Sequence, residues 1–480
     1  MKKIVLLSIF ILIASACNTL PQIDQIEFSP NKTLTVLAPN LYTSVLKQAE
    51  RAMSNAWAEE GREFILQISS YNPSEREQQL SRLQTMIMAG QSYDMFVWDG
   101  HPLWIHSNSG FFADFYTLID QSPNTKLDDF YTNVLEAWEF DGGLYIFPLS
   151  FELTYVGISA ELPQSFIDRF NQHSTITTKE LMEIYLDLQR EHWQEVGNMA
   201  FGAGFYIQDT LGSFINFESS RATINDFRLV EYLENMRQIS NIEIEETELR
   251  YRGYNYMMEE LSQQYVFLQR YAGISQISVL FDPPNPAFLN YIPVTDEYGR
   301  AILRQNNSYY YFNDWGWAYD TSPFWGSLSI SSNGESALAW EFTQQLISAM
   351  ISHDIRDVVL GEPIHYHRHF GNHNLIMPIK RAYTELHVRR IFDRYFEDMM
   401  TAYGAKRRFY GIPSSSVEMR PTLDEAIARL EAFNNMPMVL KPYLPANLYQ
   451  QPIEDFMLGL TSAWQAAEEI NNRIGLWLIE

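Results

Sequence analysis

Apolar and polar residues alternate over residues 33–38, which predicts a strand. Val45, Ala49, Ala52, Met53, Ala56 and Trp57 then recur at helical spacing, and Gly61 supplies the stop. Residues 64–68 read as a second strand. Asn72 and Pro73 open a second helix, with Leu80, Leu83 and Ile87 turned inward and Gly90 at its end. Residues 94–98 read as a third strand. Strand–helix–strand–helix–strand at this spacing predicts a parallel sheet covered by helices. Further along, a hairpin is expected around Asp141-Gly142-Gly143, between residues 138–140 and 144–147. Helices are expected near 178–191, 226–239, 335–351, 380–402, 422–433 and 453–475, and a strand over 309–319. There is no internal repeat and no clean boundary between consecutive domains, which fits lobes that exchange the chain more than once.

The front end reads differently. Lys2 and Lys3 precede an apolar run over residues 4–13, broken by Ser8 and too short to span a bilayer. Small residues Ala14, Ser15 and Ala16 then lead to Cys17, the one cysteine of the chain. This resembles the lipobox of bacterial lipoproteins. The resemblance implies a signal peptide over 1–16, lipidation of Cys17, and anchoring on the extracytoplasmic face of a bacterial membrane. The alternative is an ordinary secretory signal cut nearby. Residues 18–32 are polar, carry Pro21 and Pro30, and read as a tether, so 17–32 is assigned as anchor and tether.

A single cysteine excludes internal disulfides, so the fold must rest on its core; at 480 residues it has the length for one. The formal charge is −25, and loss of Lys2 and Lys3 with the signal takes it to about −27. Such a surface repels phosphate backbones, so nucleic acid is not an expected partner. Aromatic residues make up 14% of the chain, enough for a large core or for rings presented in a ligand cleft. No G-x-S-x-G, H-E-x-x-H or phosphate loop is present, and no spacing singles out an acid–nucleophile carboxylate pair.

Several motifs follow one another in order. Met88-Ala89-Gly90 leads to Tyr93-Asp94-Met95-Phe96-Val97-Trp98 and then to Gly110-Phe111-Phe112-Ala113-Asp114-Phe115. Asp129-Phe130-Tyr131 precedes Gly143-Leu144-Tyr145-Ile146-Phe147-Pro148. Tyr291-Ile292-Pro293-Val294 with Gly299-Arg300, the run Ala337-Leu338-Ala339-Trp340-Glu341-Phe342, and the tail over 463–480 complete the series. Together they resemble the family 1 extracellular solute-binding proteins of ABC importers, which include maltose-binding proteins. The resemblance implies an α/β, two-lobed periplasmic-binding-protein-like fold, each lobe a mostly parallel sheet flanked by helices, joined by hinge crossovers. It places the first lobe at 33–150 and 306–375, and the second at 151–305 and 376–480. It further implies a monomeric receptor, not an enzyme, with no cofactor. That receptor captures a small solute, foremost a mono- or oligosaccharide, and passes it to permease subunits in the membrane. The same fold binding a metal, a peptide or another solute, and a surface glycan hydrolase, remain as alternatives.

Sugars are held by flat aromatic faces and by carboxylates, amides and hydroxyls. Trp98 ends the third strand and is followed by Asp99, at the strand edge where such folds bind ligands; packing beneath the next helix is the other reading of Trp98. Glu152 stands four residues past Pro148 within an apolar run, so it is either a sugar ligand or one half of a hinge salt bridge. Tyr206, Asp209 and Asn216 fall on a stretch expected to wall the second lobe's side of the cleft, and Tyr271 where the family places an aromatic. Trp315 and Trp317 share a face of the expected strand, as a binding pair or a core pair. Tyr42 follows the first strand, at the cleft mouth. His365, His367, His369 and His373 cluster at spacings that suit a metal, but their neighbours do not, and a solvated surface patch is the competing reading.

Overall fold

The structure is a computed structural model. It describes residues 31–72, 76–89, 92–98, 110–151, 153–196, 200–203, 211, 215–216, 221–222, 227–239, 265–272, 288–296, 298–304, 327–332, 334–359, 377–382, 424, 427–428, 431, 434–441, 444 and 446–478. The strands are β1 (Asn31–Pro39), β2 (Glu63–Tyr71), β3 (Met95–Trp98), β4 (Phe147–Pro148), β5 (Ser150–Phe151), β6 (Leu153–Ser159), β7 (Ile176–Thr177) and β8 (Ala200–Ala203). They continue as β9 (Ile215–Asn216), β10 (Arg221–Ala222), β11 (Tyr265–Ala272), β12 (Phe288–Thr295), β13 (Ala301–Arg304), β14 (Ser327–Ile330), β15 (Met377–Pro378) and β16 (Met438–Lys441). The helices are α1 (Thr43–Glu59), α2 (Arg76–Met88), α3 (Phe115–Asp120), α4 (Thr132–Ala137), α5 (Gln164–Phe170), α6 (Thr178–Val196), α7 (Phe227–Ile239), α8 (Ser336–Val359), α9 (Gln450–Met457) and α10 (Ala463–Trp477).

Two sheets organise the chain. The first has the order β2-β1-β3-β14-β4, with β1 parallel to both β2 and β3 and β14 antiparallel to β3 and β4. The alternation over 33–38 does what it predicts: Leu34, Val36 and Ala38 are buried on the face covered by α1 and α8. Leu37 faces the other way, into a cluster with Tyr71, Leu83, Phe96, Trp98, Phe111, Phe112 and Ile146. β3 is apolar at every position because it lies inside the sheet and is covered on both faces.

The second sheet has the order β16-β13-β12-β6-β11-β8, with β7 added to β12. Within it β6 runs antiparallel to both β11 and β12. Successive residues of β6 serve different cores. Leu153 and Tyr155 join the cluster that covers β1 of the first sheet, and Val156 and Ile158 join a cluster with α5, α6, α7 and α10. β13 repeats the pattern, with Ala301 and Leu303 on one side and Ile302 on the other.

Two local expectations need correction. The helix expected over 453–475 is two helices. Gly459 adopts φ 75°, Leu460 N–H donates to the Asp455 carbonyl at 2.8 Å, and Gly459 N–H donates to that of Phe456 at 2.9 Å, which closes α9. Ser462 then caps α10 with a reciprocal Ser462–Gln465 pair. The Asp141-Gly142 turn forms, with φ 50° and 75° and both bonds exchanged between Phe140 and Gly143. No hairpin grows from it: Leu144 N–H turns to Asp114 Oδ1 at 2.9 Å, and Phe147 pairs with β14. The strand expected over 309–319 and most of the helices expected at 380–402 and 422–433 lie outside the described residues.

Candidate functional site

Strand register places the site. Ser327 of β14 lies opposite both Trp98, the last residue of β3, and Pro148, the last residue of β4. β14 is antiparallel to both, so β3 and β4 run the same way and end in one row. β1 runs with β3 and ends at Pro39, followed at the same edge by a single helical turn, Asn40–Tyr42. This is the carboxyl edge of the first sheet, where α/β folds bind ligands.

Five residues beyond Pro148 the chain enters β6 at Leu153. The second sheet presents its own carboxyl edge there. Ala272 and Tyr271 end β11 opposite Leu153 and Thr154. β8 runs parallel to β11 and so points toward the same edge, with Ala203 opposite Leu268. Leu303, near the end of β13, also pairs with Leu153, so β13 ends at the second sheet's edge while β14 begins at the first's. The strand ends of both sheets therefore converge on residues 148–153.

The far end of the first sheet is tied by Asp94. Its Oδ2 accepts from Thr35 N–H at 2.8 Å and Thr35 Oγ1 at 2.7 Å, and its own N–H donates to Thr35 Oγ1 at 3.0 Å. Its carbonyl accepts from Ser331 N–H at 2.9 Å, which locks β14 against β3. A Cβ on Gly334 would come within 2.6 Å of Asp94 Oδ1, so only glycine leaves room for the chain to enter α8.

The sequence-chosen residues fall into three groups. Tyr42 stands at the carboxyl edge, but its side chain is buried in the first sheet's core cluster with Val45 and Leu46. Trp98 is at the same edge and 2% exposed. Its ring lies flat on Phe96, with centroids 5.3 Å apart and planes 7° apart, and edge-on to Phe112 at 6.3 Å. Its Nε1–H is buried and has no hydrogen-bond partner among the described residues. Tyr271 sits on β11 at the second sheet's edge, and Asn216 on β9 pairs with Arg221 of β10 in a separate two-stranded sheet. Asp99, Glu152, Tyr206, Asp209, Trp315, Trp317, Cys17, His365, His367, His369 and His373 lie outside the described residues. Among the described residues, no group of three His, Cys, Asp or Glu is placed to hold a metal ion, and no helix is long and apolar enough to cross a membrane.

Two residues at these edges were not singled out by the sequence. Ser327 is buried in the row between Trp98 and Pro148. Thr154, opposite Tyr271, is buried with its Oγ1 unpartnered among the described residues. The signal in both cases is a small hydroxyl residue at a period-two position whose strand neighbours are apolar or buried.

Neither protein-family models nor curated proteins match this sequence. Solved structures do resemble the fold. The sugar-binding protein MalE of Xanthomonas citri superposes with a TM-score of 0.53 at 11% identity, over 93% of this chain and 98% of that one. A family 1 extracellular solute-binding protein from Alicyclobacillus acidocaldarius gives 0.50 at 12%, over 95% and 100%. The cyclic α-maltosyl-1,6-maltose-binding protein of Arthrobacter globiformis gives 0.50 at 12%, over 93% and 99%. Identity at this level speaks for the fold, and the fold of this chain is the two-lobed α/β fold of the periplasmic binding proteins.

Proposed function

We propose that this chain is an extracytoplasmic receptor of an ABC importer that holds a mono- or oligosaccharide between its two lobes and releases it unaltered to a membrane permease. The observation that carries the reading is the convergence of both sheets' carboxyl edges on residues 148–153. Ligands of α/β folds bind at such edges, and a solute touching both binds across the junction. In this reading 33–150 with 306–375 form the first lobe and 151–305 with 376–480 the second. Glu152, between Pro148 and Leu153 in the chain, is assigned to the solute in this reading. Asp99 and Asp209 offer carboxylates to sugar hydroxyls, and Tyr271, Trp315 and Trp317 offer flat faces. Trp98 and Tyr42 set the floor of the first lobe's edge from within its packing. The names of the solved structures of like fold support a sugar as the solute.

Binding works by population shift. A solute that touches both lobes favours the arrangement in which they are closed, by as much as its affinity differs between the two arrangements. A lipid on Cys17 with the tether behind it keeps the receptor near its permease and raises its effective concentration there. The receptor acts as a monomer and needs no cofactor. The test is thermal denaturation against a panel of neutral and acidic mono- and oligosaccharides. A cognate sugar at about a hundred times its Kd stabilises by ~2.7 kcal/mol, a rise of roughly 5–10 °C for lobes of this size. Stabilisation by Zn²⁺ or a peptide, with none by any sugar, refutes the reading. Mass spectrometry of the native protein, showing Cys17 either diacylated or bare, decides the anchor independently.

A further inference from the structure

Between α9 and α10 the chain presents three large apolar side chains to water. Leu458 is 74% exposed, Leu460 71% and Trp464 55%. The turn that carries them is held firmly. Gly459 and Leu460 close α9 through their two backbone bonds, and the Ser462–Gln465 pair opens α10 two residues later. Arg237 of α7 buttresses the turn, with its guanidinium over the Phe456 ring and one nitrogen 3.3 Å from where a Cβ on Gly459 would lie. In a helix ending of this type, the residue in Leu460's position ordinarily packs back on the last helical turn. The residues it would reach here are Glu454 and Asp455, so Leu460 finds no apolar partner in its own helix and stays in solvent.

Charge decides what covers this tip. Residues 442–472 contain Glu454, Asp455, Glu468 and Glu469 and no Lys or Arg; Arg473 beyond them pairs with Glu469, and Arg237 against the turn is one cation beside four acids. A second copy brought face to face across a two-fold axis would set these acids against themselves. An anionic bilayer would repel them. A protein groove with an apolar floor and a basic surround satisfies both the Leu-Leu-Trp tip and the acids beside it. The tip is already fixed, so docking carries little ordering cost. We propose that the α9–α10 tip is the docking point for a basic-rimmed apolar groove on the membrane partner that takes over the solute. This rests on the receptor reading above and adds to it a surface on the second lobe.

The test uses the full chain in its native cells. A photo-reactive benzoylphenylalanine is placed at Leu460, with Ile65 of β2 as the exposed control position. In parallel, Leu458, Leu460 and Trp464 are all changed to Ser. The expected results are an adduct between position 460 and a polytopic membrane protein, lost at high salt and absent from position 65. The triple variant should show sugar uptake reduced at least ten-fold, with an unchanged sugar-induced rise in Tm. An adduct with a second copy of this chain, an adduct with lipid only, no adduct, or normal uptake by the triple variant overturns the proposal. If no sugar raises the wild-type Tm, the receptor reading fails on its own account, and the identity of the adduct at position 460 still judges the tip.

Discussion

Trp98→Ala separates the two roles open to this residue. The ring is 2% exposed, lies flat on Phe96 and stands edge-on to Phe112. An aromatic side chain buries roughly 150–250 Å², worth about 4–6 kcal/mol at ~25 cal/mol per Å². Truncations of this size cost ~3–5 kcal/mol once partial relaxation around the cavity is counted. We expect about 4 kcal/mol, concentrated in β1 and β3, whose Leu37 and Phe96 share the ring's cluster. The assay is native-state hydrogen exchange of the amides of Leu34–Ala38 and Met95–Trp98, which reports local opening free energy. A 4 kcal/mol loss speeds that exchange about a thousand-fold, because each 1.4 kcal/mol is a factor of ten. Trp98→Phe keeps a ring against Phe96 and should lose no more than ~1–2 kcal/mol. Exchange less than ten-fold faster in Trp98→Ala, combined with loss of sugar binding in both variants, refutes the packed role. Trp98 would then be a free-standing platform for the sugar.

Gly334→Ala forces a Cβ onto Oδ1 of the Asp94 carboxylate, whose other oxygen, Oδ2, is held by two Thr35 bonds, and should cost ~1–3 kcal/mol; Asp94→Ala should cost a similar amount through its lost hydrogen bonds. The double variant should lose less than the sum in urea denaturation, and strict additivity would show that the two residues do not meet. Tyr185, on the buried side of α6, has its phenol pushed up to about 12 by desolvation, partly opposed by the bond it accepts from Gln189 Nε2. Its folded pKa lies above the unfolded value of ~10, so its contribution is complete below pH 10 and is lost as pH rises through 12. This amounts to roughly 2–3 kcal/mol, at about 1.4 kcal/mol per pH unit. Tyr185→Phe should therefore lose less stability than wild type between pH 9 and 11.5 in urea midpoints, and an identical decline would count against the assignment.

The local elements were readable where the periodicity was local. Leu34, Val36 and Ala38 alternate and are buried, and Val45, Ala49, Met53 and Trp57 repeat along α1 and are buried too. The α9–α10 break was missed because apolar residues continue at helical spacing across it. The overlooked signal was Gly459 followed by Ser462 and Gln465, an ending and a beginning placed back to back. The edges of the site were only half legible. Trp98 ends a run that is apolar throughout, so no periodicity tells its buried face from an open one. Ser327 and Thr154 gain meaning from pairings with residues distant in the chain, and no window on the sequence spans those distances.

The position of β14 has a consequence for the order of events in folding. It lies between β3 and β4, so β4 has no partner in its own sheet until residue 327 has been made. The first core also waits for Ile379 and Met438. A chain emerging N-terminus first thus carries an unfinished first sheet and core through most of its length. Contacts of such long sequence separation fold slowly. The same delay leaves apolar strand edges bare in the meantime, so a holding chaperone should bind the nascent chain best before β14 is complete.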